Sequence, residues 1–440
     1  MKIAIISAFS CSLGWQKRLQ DEGNDVLVLN TEKELRNVSD GIIPLAKNWE
    51  EVLSWADKDT LFFFDSSGNG DKAEEVRALG YPIIGGGEFC DRLEKDREFG
   101  LDIARSVGVE IPPYQAFESL TEAEELEIEK EVYFKSDEFL ESDATKKLED
   151  KEHLIEYFQY IRERFGDNIT GILQEKVDGF AISTGRWWNG KKWTGPYECT
   201  YERKGFLNDD IGGSTGCSFN AIFFYPIPPY ISYALHWEEL ASKFVENDAP
   251  PGLYDINALI DPQGKAWFLE WTPRLGYDSE MSSMRLIDNL TDHLWNISNG
   301  KEMPEPSYDL SYAVRLTVPP YPYEHGSPKE EGTADGKPVT QIEGLWGGPF
   351  MAMQCRFDKK LGVVVAGNEG IVGVSIATGN DLIALHDEVI EYAKKLHKRG
   401  ISGLQFRTDG LKCIQEDARI VEKAGNWVHP GIWGPPEEKD

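Results

Sequence analysis

The segment from Gly252 to Met281, GLYDINALIDPQGKAWFLEWTPRLGYDSEM, restricts the fold most, because two apolar runs flank the turn residues Asp261-Pro262-Gln263-Gly264. It reads as a β-hairpin. Side chains alternate along a strand, so Ile256, Ala258 and Ile260 are expected to share a core face with Trp267, Leu269 and Trp271 of the return strand. The opposite face then carries Asp255 and Asn257. Folding about Pro262-Gln263 sets Asp255 across from Glu270, with Thr272 two positions on. Two facing carboxylates repel unless a proton or a cation lies between them. Hard oxygen ligands of this kind, few in number, suit Mg²⁺ that also holds substrate phosphates. A sheet with one solvated polar face fits the hairpin equally well.

A chain of 440 residues, 40% hydrophobic and 12% aromatic, can bury a large core and is expected to divide into two to four domains. Its formal net charge of −30 argues against nucleic-acid phosphate or an anionic membrane as the main partner. Cys11, Cys90, Cys199, Cys217, Cys355 and Cys413 form no CxxC pair and no Cys/His cluster of zinc spacing. They read as thiols in a reducing cytoplasm. The apolar run at the start is short for a signal segment, and no window approaches a membrane span. A cytoplasmic protein is the expectation.

Residues 2 to 6, 26 to 29, 61 to 64 and 82 to 85 are short apolar runs separated by helical or loop stretches, as in a parallel α/β layer. This predicts a Rossmann-like first domain. No GxGxxG follows the first strand, so a dinucleotide there is not expected. An amphipathic helix is expected over 89 to 107, then a break at Gly108-Val109-Glu110-Ile111-Pro112-Pro113. An acidic stretch over 118 to 150 holds one strand candidate, Val132-Tyr133-Phe134-Lys135. A helix from about 151 to 165, alternating strands from 170 to 225 and a helix at 232 to 246 lead into the hairpin. Proline-rich connections at 304 to 306 and 319 to 328 mark a boundary. Strands are expected at 312 to 318 and 362 to 376, a helix at 380 to 399, and a frayed tail ending PPEEKD.

Several residues could carry chemistry. Lys135 closes a Tyr-Phe strand pair, where an ammonium is costly unless it meets an anion such as a nucleotide phosphate; a solvent-facing lysine is the plain reading. Some forty residues on, Ile172-Leu173-Gln174-Glu175-Lys176-Val177-Asp178-Gly179 runs from strand into loop, where backbone groups can read an adenine edge and an acid can take ribose hydroxyls. The loop Asp209-Asp210-Ile211-Gly212-Gly213-Ser214-Thr215-Gly216 can bring N–H groups close to an anionic substrate, or can simply be a surface loop. Arg274 could clamp a carboxylate or phosphate. Neither GxSxG nor HExxH occurs, so no serine hydrolase or zinc protease is indicated.

The order of these features resembles the ATP-grasp ligases, and among them the phosphoribosylamine–glycine ligase family. Gly80-Tyr81-Pro82-Ile83-Ile84-Gly85 with Leu93-Glu94 and Arg97 is similar to a nucleotide-binding segment of that family. Gly108-Val109-Glu110-Ile111-Pro112-Pro113-Tyr114 is similar to its following strand, Val132-Tyr133-Phe134-Lys135-Ser136-Asp137 to its phosphate-lysine strand, and Gln174-Glu175-Lys176-Val177-Asp178-Gly179 to its hinge. Asp210-Ile211-Gly212-Gly213-Ser214-Thr215-Gly216 falls at its substrate loop. Phe268-Leu269-Glu270-Trp271-Thr272-Pro273-Arg274 resembles its metal strand, which puts Glu270 on the metal glutamate and Arg274 on the catalytic arginine.

The resemblance implies an α/β and α+β multidomain protein: a Rossmann-like domain at 1 to 100, an ATP-grasp domain at 101 to 300 in two subdomains (101 to 176 and 177 to 300), and a small mixed C-terminal domain at 301 to 440. It implies ATP and Mg²⁺, with Mn²⁺ as a substitute. ATP would meet Arg97, Lys135, Glu175, Lys176, Val177 and Asp178, and the metal would meet Glu270, Asp255, Asn257 and Thr272. The substrate loop would be Asp210, Gly212, Gly213, Ser214, Thr215 and Gly216. The implied activity joins a small-molecule carboxylate to an amine through an acylphosphate, in a monomer or homodimer. A degenerate relative serving as a binding module is the alternative. Departures from the family pattern are an acidic stretch, Glu138-Phe139-Leu140-Glu141-Ser142-Asp143, in place of a glycine-rich lid, Thr272 in place of a metal asparagine, and Ser7-Ala8-Phe9-Ser10-Cys11-Ser12-Leu13-Gly14 in place of a phosphate loop.

Overall fold

The computed structural model describes residues 1–138, 145–275, 277–319, 334–339, 342, 344–367 and 369–434. The lid stretch from 139, the connection from 320 to 328 and the tail from 435 lie outside the described residues. The first four apolar runs become β1 (Lys2–Ser7), β2 (Asp25–Asn30), β3 (Leu61–Phe64) and β4 (Ile83–Ile84), interleaved with α1 (Leu13–Asp21), α2 (Trp49–Trp55) and α3 (Gly70–Ala78). They pair in parallel in the order β2-β1-β3-β4. Continuous runs suit this layer because a parallel sheet is covered on both faces. The expected Rossmann-like layer is present.

The single helix expected over 89 to 107 is two, α4 (Glu88–Lys95) and α5 (Arg97–Ser106). Asp96 ends the first and caps the second, its side chain accepting from the Phe99 N–H at 2.9 Å. Capping by an aspartate competes with helix continuation, and apolar periodicity does not reveal which wins. A small antiparallel sheet follows, built from β5 (Tyr114–Phe117), β6 (Val132–Ser136), β7 (Thr145–Leu148) and β8 (Gly171–Glu175) in the order β5-β8-β6-β7. The short helix α6 (Leu120–Ala123) and the longer α7 (Lys151–Phe165) belong to the same segment, and Phe117, Phe134 and Phe158 form its core.

The largest layer is an eight-stranded antiparallel sheet, ordered β13-β12-β9-β10-β11-β14-β18-β15. Its strands are β9 (Phe180–Trp188), β10 (Trp193–Gly205), β11 (Ser214–Tyr225), β12 (Gly252–Ile260), β13 (Ala266–Thr272), β14 (Leu310–Thr317), β15 (Phe350–Ala352) and β18 (Ile371–Gly379). The sheet therefore runs without a break from the hairpin into strands past residue 301. A separate two-stranded unit pairs β16 (Cys355–Asp358) with β17 (Gly362–Val365). The expected strand over 362 to 376 is thus divided between two sheets. The break lies at Gly370, where φ is +91° and a Cβ would come 2.2 Å from the Val318 carbonyl oxygen.

Helices α8 (Tyr230–Ala234) and α9 (Trp237–Glu246) replace the single one expected at 232 to 246, separated by His236 with φ of 53°. Helices α10 (Tyr277–Leu286) and α11 (Leu290–Ser298) follow the hairpin, and α12 (Leu382–Lys398) and α13 (Gly410–Lys423) close the chain. The sequence reading omitted α13, whose small residues and acidic flanks hid its apolar stripe. Among the described residues no helix is long and apolar enough to cross a membrane, and each of the six cysteines is a buried thiol.

The hairpin forms, but with a different register. Asp255 pairs with Thr272, and Asn257 with Glu270, so Asp255 does not face Glu270. A bulge beyond Asn257 places an extra residue on β13, and Ala258 pairs with Phe268. With Ile260 opposite Ala266 the turn is already one residue beyond the expected register, and the bulge adds a second. The core face shifts with them: the turn register buries Ala266 and Phe268, the bulge brings Trp271 to the same side, and Trp267 and Leu269 are half-buried.

Phe244 on α9 pins this sheet to its neighbours. Its ring lies within 4.6–6.0 Å of those of Phe89, Trp188, Trp193, Tyr254 and Trp271. Phe89 belongs to α4, so the cluster joins the N-terminal segment to the large sheet. Phe244→Ala is expected to destabilise the chain by about 3–5 kcal/mol, read as a shift of the urea unfolding midpoint.

Candidate functional site

Strands β12, β9 and β10 lie side by side, and their registers set residues in rows across one face of the large sheet. One row runs Thr272, Asp255, Gly185, Glu198; the next runs Glu270, Asn257, Ser183, Thr200. Alternation keeps Glu202 and Lys204 of β10 on that same face. The face is polar along its whole length, unlike the Ile256, Ala258 and Phe268 face, which is buried core.

Glu270 is the centre of charge. Its carboxylate meets the Arg97 guanidinium at 3.2 Å and keeps a third of its side-chain surface open, at 33%. Burial works against its ionised form, yet Lys204, Arg97 and Lys135 together hold its pKa down to about 2. Lys135 is buried, and its ammonium donates to Gln174 Oε1 at 2.8 Å and to the Leu269 carbonyl at 3.5 Å. Burial pushes its pKa down to about 8, although Glu270 opposes the shift. At Lys204 burial also disfavours the charge, and Glu202 and Glu270 overcome it, leaving a raised pKa. Two donors in this group, Arg97 Nε and Gln174 Nε2, are buried without a hydrogen-bond partner among the described residues.

Beside this cationic group lies an acidic one. Asp255 and Glu198 flank Gly185, where a Cβ would stand 3.4 Å from Asp255 Oδ1 and 3.5 Å from Glu198 Cβ, so the missing side chain leaves the space between them open. Burial, then the Glu198 and Glu202 charges, raise the Asp255 pKa well above the usual carboxylate range. Glu198, 5% exposed, is pushed up to about 7 by burial. Asn257 Nδ2 donates to Thr272 Oγ1 at 2.7 Å. Among the described residues no group of three or more His, Cys, Asp or Glu side chains is arranged to hold a metal ion. The oxygen donors Glu270, Asp255, Asn257 and Thr272 in adjoining rows still fit Mg²⁺, which needs few protein ligands and keeps waters and phosphates as the rest. The uncompensated Asp255 and Glu198 carboxyls also favour a cation nearby.

Arg274 points elsewhere than to Glu270. It grips Glu94 with contacts of 2.7, 3.0 and 3.2 Å, and Glu94 in turn meets Ser67 Oγ. With Phe9, Cys11, Asp65, Leu275 and Glu280, Arg274 lines a cavity between the first sheet and the hairpin.

The structure therefore brings Arg97, Lys135, Glu270, Asp255, Asn257 and Thr272 together, with Arg274 alongside. The hinge residues lie at the exposed end of β8: Glu175 pairs with Lys130 at 2.8 Å, and Lys176 with Asp178 at 2.6 Å and Glu131 at 3.0 Å. Val177 lies between them. In the glycine loop, Asp210 is tied to Arg407 and to Arg203, the latter at 3.5 Å, on the side of α13. Gly212 and Gly213 follow it, and Ser214, Thr215 and Gly216 open β11. Thr215 Oγ1 donates to the Lys204 carbonyl at 2.7 Å, which links the loop to the cationic group. Sequence reasoning missed Glu198, Glu202 and Lys204. The signal was there: Glu198, Thr200, Glu202 and Lys204 recur with period two on one strand.

No protein-family model and no curated protein sequence matches the chain. Solved structures do. Phosphoribosylamine–glycine ligase from Thermotoga maritima superposes with a TM-score of 0.70 at 18% identity, covering 93% of this chain and 100% of that one. The biotin carboxylase domain of the Hydrogenobacter thermophilus 2-oxoglutarate carboxylase, with MgADP, ADP and bicarbonate, gives 0.62 at 12% identity, covering 99% of each chain. N5-carboxyaminoimidazole synthetase from Staphylococcus aureus with ADP gives 0.57 at 14%, covering 90% and 98%. The chain has the ATP-grasp fold. In this chain the polar sheet face and the small β5–β8 sheet meet at Glu270 through Lys135.

The raised Glu198 pKa makes stability depend on pH with a definite sign. The folded pKa of about 7 exceeds the ordinary 4.5, so the folded chain holds the proton more tightly, and stability falls as pH rises through that window. Glu198→Gln, which mimics the protonated form, is expected to match the parent near about pH 4 and exceed its stability by about 1–3 kcal/mol near about pH 8, measured by urea unfolding.

Proposed function

We propose that the chain is an ATP-dependent ligase that joins a small-molecule carboxylate to an amine through an acylphosphate. The observation that carries this reading is the surplus of positive charge and open donors around Glu270. Arg97, Lys135 and Lys204 surround the Glu270 carboxylate, and Arg97 Nε and Gln174 Nε2 are buried without a hydrogen-bond partner among the described residues. A polyphosphate supplies the oxygens that such donors lack. The likeness to structures that hold ADP or MgADP supports the same reading.

In this mechanism Lys135 and Arg97 hold the phosphates and neutralise charge that grows on the transferring phosphoryl group. The substrate carboxylate attacks the terminal phosphorus, ADP departs, and an amine then displaces phosphate from the acylphosphate. Positioning does most of the work, and no protein nucleophile is required. Glu270, Asp255, Asn257 and Thr272 would hold Mg²⁺ or Mn²⁺, which supplies Lewis-acid polarisation of phosphate oxygens when bound. The backbone of Glu175 to Asp178 would take the adenine edge. Asp210 and Gly212 to Gly216 would border the carboxylate substrate, and Arg274 would orient the reacting groups from the cavity side. The acidic start of the lid is compatible with phosphate, because the Glu138 carboxylate is already engaged by the Thr170 N–H at 3.0 and 3.1 Å and by Ser136 Oγ at 3.0 Å.

Isothermal titration with ATP and Mg²⁺ separates this reading from a binding module that has lost the nucleotide; a titration without heat would sink the ligase. Glu270→Gln is expected to lower ADP release by about a hundredfold or more with the circular dichroism spectrum unchanged, as for loss of a preorganised electrostatic group. Lys135→Met is expected to raise the KM for ATP about tenfold, since one charge-assisted phosphate contact is lost.

A further inference from the structure

The loop between β10 and β11 is held from outside the sheet. It runs from Phe206 to Gly213, and within it Asp209 and Asp210 have φ of 58° and 56°. Two consecutive residues with side chains in the left-handed region are costly, and such a form persists where its surroundings impose it. Inside the loop, the Phe206 N–H donates to the Gly213 carbonyl at 3.0 Å and the Asp210 N–H to the Leu207 carbonyl at 3.1 Å.

Further contacts come from the turn that opens α13, 200 residues along the chain. Arg407 is buried; its Nη1 donates to the Gly205 carbonyl at 2.7 Å and to Asp210 Oδ1, while Nε and Nη2 grip Asp409 at 2.9 and 2.7 Å. Asp409 stands at the N-cap of α13 yet makes no side-chain capping bond to that helix. Its carboxylate accepts instead from the Asp209 N–H at 2.8 Å. Asn208 and Thr408 exchange two hydrogen bonds, at 2.9 and 3.1 Å. Arg203 of β10 meets Asp417 of α13 at 2.6 Å. Helix α13 and its opening turn thus grip both the loop and the strand that enters it. That strand end carries Lys204, the foremost of the three cations that keep Glu270 ionised, whose carbonyl also accepts from Thr215 Oγ1.

We infer that Arg407 is a positioning residue of the site: acting through Asp210 and the Gly205 carbonyl, it keeps the loop in its strained form and fixes Lys204 against Glu270, so that the turn opening α13 sets how tightly the cleft holds the phosphates of MgATP. The nucleotide in this statement rests on the ligase reading above, and the hold on the loop rests on the contacts alone. Arg407→Lys keeps the charge but not the fork that reaches Gly205, Asp210 and Asp409 together, so it should behave as a loss.

The test combines amide hydrogen exchange with calorimetric titration of the full chain with MgATP. In Arg407→Gln the Phe206, Asp209 and Asp210 amides are expected to exchange about tenfold faster than in the parent, with the rest of the large sheet unchanged, and the Kd for MgATP to rise about tenfold. Asp210→Asn removes the loop's side of the contact at an exposed position and keeps a side chain that tolerates the left-handed region. It should give both changes to a smaller degree, and it carries the test if Arg407→Gln does not fold. Lys204→Met checks the route: it should raise the Kd by itself, and Arg407→Gln added to it should raise the Kd no further, whereas independent effects of general loosening would multiply. Unchanged exchange in the loop, faster exchange with unchanged MgATP affinity, or effects that multiply in the double variant would overturn the assignment. A parent chain that takes up no MgATP removes the ligase reading, and loop exchange in Arg407→Gln then decides the hold of α13 on the loop by itself.

Discussion

Glu270 draws cations from three separate parts of the chain, and the meeting of these parts is what defines the site. Arg97 opens α5, Lys135 sits on the small antiparallel sheet, and Lys204 ends the long strand β10. Holding three cations here is costly in a half-buried cleft, because each loses water and two carboxylates, Glu270 and Glu202, stand against three positive charges. Such a cluster is poorly explained as a device for stability. It is well explained as the part of a receptor whose remaining negative charge arrives with a ligand, which is also what the two unpartnered donors beside it indicate.

The bulge in the hairpin controls this geometry. Side-chain direction alternates with every residue, so a one-residue difference on β13 decides whether Glu270 shares a face with Asn257 or joins the core. Because of the extra residue at Leu269, Trp271 and Phe268 both reach the buried face while Glu270 stays with Asn257, Ser183 and Thr200. The same offset places the Leu269 carbonyl within reach of the Lys135 ammonium. Core packing and cation binding are therefore set by a single backbone irregularity, a common use of bulges near functional sites.

The strands of the first sheet, α7 and the hairpin itself were legible because each has a clear apolar period bounded by turn residues. Lys135 and Glu270 stood out as charges on otherwise apolar strands, Arg97 entered through the family resemblance, and the structure gathers all three. The register of the hairpin was not legible, since the bulge leaves no mark in residue type. Asp255 was expected to face Glu270 but pairs with Thr272, and the carboxyl near it is that of Glu198, two strands away across Gly185. Pairing between strands distant in sequence cannot be read from either strand alone.

The two charge environments make the site directional. Around Glu270 the surplus is positive, whereas burial holds the Asp255 and Glu198 carboxyls toward their protonated forms. A formal net charge of −30 over the whole chain gives a background that repels anions in general, so the cationic group must act at short range, inside the cleft, where screening by salt is weak. An anionic ligand is therefore selected by contact with Arg97, Lys135 and Lys204 and not by the outer surface. A cationic ligand meets no such barrier.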